Sequence, residues 1–266
     1  TNYGSAYRPG RALRREWGRC CTMVTMPDPH SIAVVLAVKR LDAAKSRLAT
    51  AVASDDHRRA LVTAMLADTL LAVRNAGVAD IVVVSPDPGV EALAREFGAR
   101  AVAEPAPGTL SPLNAALAHG LTSAADSATL VAALQADLAA LDAATLAEAF
   151  DEASAVIAAG AAAAFVADRG GDGTALLVLP SGSPFEPRFG ADSASAHRSA
   201  GAAELDPARR RWARLRTDVD TPADLAVAAV LGPGPHTREA LASRASLSDA
   251  TRIARISNAA GTAPRR

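Results

Sequence analysis

Ile32-Ala33-Val34-Val35-Leu36-Ala37-Val38-Lys39-Arg40-Leu41-Asp42-Ala43-Ala44-Lys45-Ser46-Arg47-Leu48 is the stretch on which the reading of this chain turns. It opens on a short, unbroken apolar run rich in β-branched side chains, the pattern of a parallel strand buried on both faces. Lys39 and Lys45 follow, and they are the only lysines among 266 residues; every other basic residue is arginine or histidine. A lysine is a compact point charge on a flexible stem and can follow moving phosphate oxygens, whereas arginine favours fixed planar recognition. The pair therefore marks a candidate phosphate site just past the first strand. The plainer alternative is two solvated lysines on a turn.

Working outward, residues 54–76 carry apolar residues at helical spacing behind a Ser-Asp-Asp start, which makes the opening a β–loop–α unit. Strands are expected at 80–85, 100–103, 129–135, 162–167, 175–179 and 213–217. Helices are expected at 90–97, from 112 to about 125, from Asp142 to about 158, in a short turn containing His197 and Arg198, and after Thr221. This alternation predicts an α/β fold with a mostly parallel central sheet and helices on both faces. Ligands in such folds bind at the carboxyl ends of the strands, where Lys39, Ser85, Pro86 and Asp137 should stand. Residues 31–232 read as one domain. Residues 1–30 read as a disordered N-terminal extension, with Met23 or Met26 as alternative starts, and 233–266 as a turn, a short helix and a flexible tail.

Composition narrows the class of partner. The formal net charge is zero and no folded stretch concentrates arginine, so the electrostatic footprint of a nucleic-acid binder is missing. The longest weakly polar stretch, 155–167, falls short of the roughly 20 apolar residues a membrane span needs. Cys20 and Cys21 are adjacent, a poor geometry for a disulfide, and suit a reducing cytoplasm. The histidines are scattered without metal-ligand spacing. Aromatics are only 3% of the chain, so the core must be built of small aliphatic side chains.

Two acidic segments can carry chemistry. Asp137 follows an apolar strand and can reach the sheet edge, either as a Mg²⁺ ligand or as a turn residue. In Asp218-Val219-Asp220-Thr221-Pro222-Ala223-Asp224, Thr221, Pro222 and Asp224 are explained as a helix N-terminal cap. Asp218 and Asp220 are not. Extended alternation puts both on one side with Val219 opposite, and such neighbours repel unless a cation or a buried partner compensates, which favours a metal contact from at least one. The turn 170–174 and the loop 188–193 are each either ordinary connections or surfaces for an anion, with Thr174, Gly190 and Ser193 as the candidate contacts.

Taken together, these segments resemble the guanylyltransferases of deazaflavin coenzyme F-420 biosynthesis. The resemblance is carried by Lys39–Ala49, Pro112-Leu113-Asn114, Leu134-Gln135-Ala136-Asp137-Leu138, Phe165-Val166-Ala167-Asp168-Arg169, Gly173-Thr174-Ala175, Arg188-Phe189-Gly190-Ala191-Asp192-Ser193 and Asp218 to Leu225, in that order. It implies the Rossmann-like nucleotidyltransferase fold and the joining of GTP to phosphoenolpyruvate or 2-phospho-lactate with release of pyrophosphate. It would place Asp137 and Asp218 on Mg²⁺, Thr174, Gly190 and Ser193 around the phosphorylated three-carbon acid, and Lys39 and Lys45 on the nucleotide phosphates. The family writes Gly and Pro where this chain has Ala136 and Ala139, and a methyl at 136 is expected to crowd the nucleotide. The alternatives are a sugar-phosphate or molybdenum-cofactor nucleotidyltransferase, and a non-catalytic nucleotide-binding module. Oligomeric state is not legible.

Overall fold

The computed structural model describes residues 31–243 apart from positions 43 and 53; the expectations for residues 1–30 and for the end of the tail lie outside the described residues. The strands are β1 (Ile32–Ala37), β2 (Asp80–Val84), β3 (Arg100–Val102), β4 (Leu130–Leu134), β5 (Ala164–Ala167), β6 (Thr174–Pro180) and β7 (Ala203–Glu204). They form one sheet in the order β3-β2-β1-β4-β6-β5-β7. Every neighbouring pair is parallel except the two made by β6. Because β6 alone is reversed, its first residue, Thr174, stands at the same edge as the last residues of β1, β4 and β5.

The helices are α1 (Asp55–Asn75), α2 (Pro88–Glu96), α3 (Pro112–Ala124), α4 (Ala143–Ala158), α5 (Ser193–Ser199), α6 (Ala213–Arg216) and α7 (Pro222–Leu231). Alternation along β1 sends Val34 and Leu36 to one face, against Leu66, Leu70 and Val73 of α1 and Leu146 and Phe150 of α4. Ala33 and Val35 face the other way, against Ala116, Leu117 and Leu121 of α3. The fit of α3 on the sheet is close enough that a Cβ on Gly120 would fall 2.3 Å from the Val35 side chain. The helix starts expected at Ser54, Asp142 and Thr221 are all present, each side chain accepting a backbone N–H of the first turn; Thr221 and Asp224 form a full capping box.

A third, smaller core lies under the carboxyl edge of the sheet. Leu48, Leu61, Val62, Met65, Ala139, Val219 and Leu225 join the loop after β1, helix α1, the loop after β4 and helix α7. This cluster fixes the loops carrying Lys45, Asp137 and Asp218 relative to one another.

The strand expected at 213–217 is instead the helical turn α6. Its alternating Ala213, Leu215 and Thr217 mimic a strand, but tertiary contacts decide otherwise. Leu215 and Arg216 N–H groups close on the Trp212 carbonyl, and the buried Arg216 guanidinium donates to the carbonyls of Ala167, Leu205 and Asp206. The edge strand β7 and a 3-10 helix at Ser46–Ala51 were not expected. After the Pro/Gly turn at 232–234, residues 235–243 are helical. That helix begins on buried Asp68 of α1, which accepts the N–H groups of His236 and Thr237 at 3.0 and 2.7 Å.

Candidate active site

The loop after β1 is held from several sides. Its Leu41 N–H donates to Asp87 at the start of α2, 2.8 Å away. From α1, the buried guanidinium of Arg58 donates to the carbonyls of Leu41, Asp42 and Ala44. Lys45 is thereby held in the left-handed region, at φ 53° and ψ 44°. Such a conformation costs a lysine about 1 kcal/mol and persists only where its surroundings impose it.

From there the Lys45 ammonium reaches both Asp137 and Asp220. Burial works against its charge, but the two carboxylates more than offset this and hold its pKa above that of a free lysine. Lys39 does not join it: it is exposed and makes no hydrogen bond or ion pair among the described residues.

Asp137 and Asp218 are brought together by a backbone bond from Val219 N–H to the Asp137 carbonyl, 3.3 Å. Val219 points into the small core while Asp218 and Asp220 take the other side, as alternation requires. Leu138 N–H donates to Thr69 of α1 at 3.2 Å, fixing the residue after Asp137. One Asp137 oxygen meets Lys45; the other, Oδ1, is buried without a partner. Burial pushes the Asp218 carboxyl up to about 7, helped by repulsion from Asp137, Asp220 and Asp168 and opposed by Lys45. Among the described residues no three or more His, Cys, Asp or Glu enclose a metal. An orphaned buried carboxylate oxygen beside a second destabilised carboxylate nevertheless suits magnesium, which takes one or two protein carboxylates and completes its shell with water and phosphate oxygens. The Ala136 methyl packs on the main core, and Ala139 is buried with its carbonyl accepting Gly234 N–H at 2.8 Å.

The other candidate contacts also converge. The 168–174 turn joins antiparallel β5 and β6, so its glycines serve a hairpin, and Gly173 has no room for a Cβ because Asp168 folds over it. Ser193 Oγ donates to Thr174 Oγ1 at 3.1 Å, and Ala194 N–H donates to the Asp172 carbonyl at 2.9 Å. Gly190 has φ 130°, a conformation L side chains avoid, and open space where a Cβ would stand. Asn114, at the start of α3, binds both backbone groups of Phe189, at 2.7 and 2.9 Å. Thr174, Gly190 and Ser193 thus cluster, and Asp168, which folds over Gly173 and repels Asp218, links them to the carboxylates.

The structure adds residues to which sequence reasoning gave no role. Nothing in the sequence singles out Arg58, and only its burial reveals it. Asn114 stood inside a quoted motif without a task. His197 was seen only as part of a short helix.

A family model described as guanylyl transferase CofC like matches residues 32–252. The chain belongs to this family. A phosphoenolpyruvate guanylyltransferase of Mycolicibacterium gilvum is 45% identical over 217 residues, covering 81% of this chain and 96% of the relative. One from Nocardia farcinica is 44% identical over 216 residues, covering 80% and 92%. Among solved structures, a nucleotidyl transferase from Methanothermobacter thermautotroptrophicus aligns with a TM-score of 0.53 at 18% identity, covering 76% of this chain and 97% of that one. A candidate nucleotide-diphospho-sugar transferase from Desulfovibrio desulfuricans G20 aligns with a TM-score of 0.58 at 18% identity, covering 81% and 96%. At that identity the likeness establishes the nucleotidyltransferase fold. Membership of the guanylyl transferase family makes the chain a nucleotidyltransferase and sets aside the sugar-phosphate and molybdenum-cofactor alternatives. Among the described residues no helix is long and apolar enough to cross a membrane.

Proposed function

We propose that this guanylyltransferase joins GTP to phosphoenolpyruvate in the cytoplasm, releasing pyrophosphate, as a step of coenzyme F-420 biosynthesis. The observation that carries the reading is the convergence of Lys45, Asp137 and Asp218 on one side of the Asp168 turn and of Thr174, Gly190 and Ser193 on the other. Relatives named for phosphoenolpyruvate, at 44 to 46% identity, favour it over 2-phospho-lactate.

The acid's phosphate is the nucleophile. It attacks the α-phosphorus of GTP in line, the bond to the β-phosphate oxygen breaks, and pyrophosphate departs. A phosphate monoester is already anionic near neutral pH, so no strong general base is required. Rate comes from positioning and from charge placed in advance where the transition state needs it. Asp137 and Asp218 would hold Mg²⁺, which when bound neutralises charge on the phosphates. Lys45 sits among these carboxylates and would meet phosphate oxygens; Lys39, exposed just past the end of β1, would meet the nucleotide at longer range. Thr174 and Ser193 supply hydroxyls, and Gly190 an open backbone, to the three-carbon acid.

The test is pyrophosphate release from GTP and Mg²⁺ with phosphoenolpyruvate, 2-phospho-lactate or 3-phosphoglycerate offered separately, and ATP as the control nucleotide. Release requiring GTP and phosphoenolpyruvate is expected. Release with another acid would change the substrate, and silence with all three despite GTP binding would favour a non-catalytic module.

A further inference from the structure

His197 is fully buried, and the chemistry above does not use it. It lies in a cage of Phe165, Phe185 and Phe189, with ring centroids 5.4 to 6.3 Å away. Both ring nitrogens are engaged. Nε2 lies 2.9 Å from the Arg188 backbone nitrogen, and Nδ1 lies 2.9 Å from Thr174 Oγ1. A backbone N–H can only donate, so Nε2 must be the acceptor and carry no proton. Burial, with Arg188 beside it, lowers the ring's pKa to about 4, so the ring is neutral near pH 7. The single N–H is then on Nδ1, and it donates to Thr174 Oγ1.

A hydroxyl has one hydrogen and two lone pairs. Thr174 Oγ1 accepts from His197 Nδ1–H, so its own hydrogen points away from the ring, and it shares one hydrogen bond with Ser193 Oγ. Two hydroxyl hydrogens serve that one bond, so the Thr174–Ser193 pair keeps one hydrogen with no partner within the protein. We propose that His197 is a positioning residue for the acceptor substrate: by donating to Thr174 it makes the Thr174–Ser193 hydroxyl pair a donor toward the substrate's anionic oxygens. Through Nε2 the same ring fixes the Arg188 backbone, two residues before Gly190, so one side chain sets both walls of the acid pocket. This rests on the reading that Thr174 contacts the acid.

Two experiments test it. In steady-state kinetics, His197→Phe keeps the aromatic packing and loses both hydrogen bonds. It should raise KM for phosphoenolpyruvate about tenfold or more and leave KM for GTP and kcat within about twofold. His197→Asn, which retains an amide donor near Nδ1, should recover much of that loss. On a Thr174→Val background His197→Phe should add almost nothing, because its partner is gone. A full, additive effect there, or an unchanged KM in the single variant, overturns the inference. An unchanged KM in Thr174→Val would instead remove the acid-site reading on which it depends. The second experiment does not rely on any variant's activity: imidazole nitrogen NMR of the wild-type protein, with His197 assigned by the signals missing in His197→Asn. The proton must be found on Nδ1, and its resonance must shift when phosphoenolpyruvate is added. A proton on Nε2, or no shift at saturating acid, sinks the proposal even if the phenylalanine variant does not fold.

Discussion

The two halves of the site solve opposite problems. In the carboxylate half, Asp137 keeps a buried oxygen with no partner and Asp218 is pushed toward neutrality by burial and by its acidic neighbours. Lys45 relieves only part of this. In the hydroxyl half, both ring nitrogens of His197 are satisfied and the Thr174–Ser193 hydroxyl pair keeps one hydrogen to give. On the proposed reading, one half is uncomfortable until a cation arrives and the other is finished before its ligand binds. Discomfort of the first kind makes metal binding favourable, while order of the second kind lowers the entropy lost when the acid docks.

The contrast can be broken most sharply at Asp137. Asp137→Asn should lower turnover by at least about 10³-fold with circular dichroism unchanged. An active variant would remove the metal assignment. The lysines come next. Lys45→Met should cost about 10²-fold in kcat, whereas Lys39→Met, changing an exposed group with no partner among the described residues, should cost under about tenfold. Equal losses would mean that the asymmetry between the lysines has no catalytic meaning.

Stability offers a subtler comparison. In chelator-treated protein Asp218→Asn should raise the melting temperature by about 3 °C or more at pH 8. The folded Asp218 carboxyl titrates near 7, above its ordinary value of 3.8, so its destabilising effect is full above pH 7 and fades toward pH 4. The gain from the asparagine should fade with it. A gain that does not depend on pH would contradict the crowding of carboxylates. His197 runs the other way, with the smallest expected effect. Its folded pKa lies near 4 against an ordinary 6.5, so its contribution is whole above pH 6.5 and lost as pH falls toward 4. Urea melts at pH 7 and pH 5 should therefore differ less in His197→Asn than in the wild type.

Much of this was legible from residues alone. The buried run at Ile32 and the caps at Ser54, Asp142 and Thr221 are local signals, and the elements they announce are present. Asp218 and Asp220 stood out because the capping box explained their neighbours and left them over. What was not legible depends on distant contacts. Residues 213–217 alternate like a strand, yet Arg216 needs the carbonyls of Ala167 and Leu205, and the turn winds into a helix to reach them. Arg58, Asn114 and His197 are ordinary residue types whose roles arise only from where the fold buries them. The two lysines looked equivalent by spacing, and backbone geometry separates them.

The reversed strand β6 has a further consequence. Because it doubles back, the hydroxyl half, proposed to face the acceptor, comes from one continuous piece of chain, running from Asp168 through Thr174, Gly190 and Ser193 to the end of α5. The carboxylate half is gathered from positions as far apart as Lys45, Asp137 and Asp218. On the proposed reading, changes confined to that one piece would alter which acid is taken and leave the carboxylate half in place.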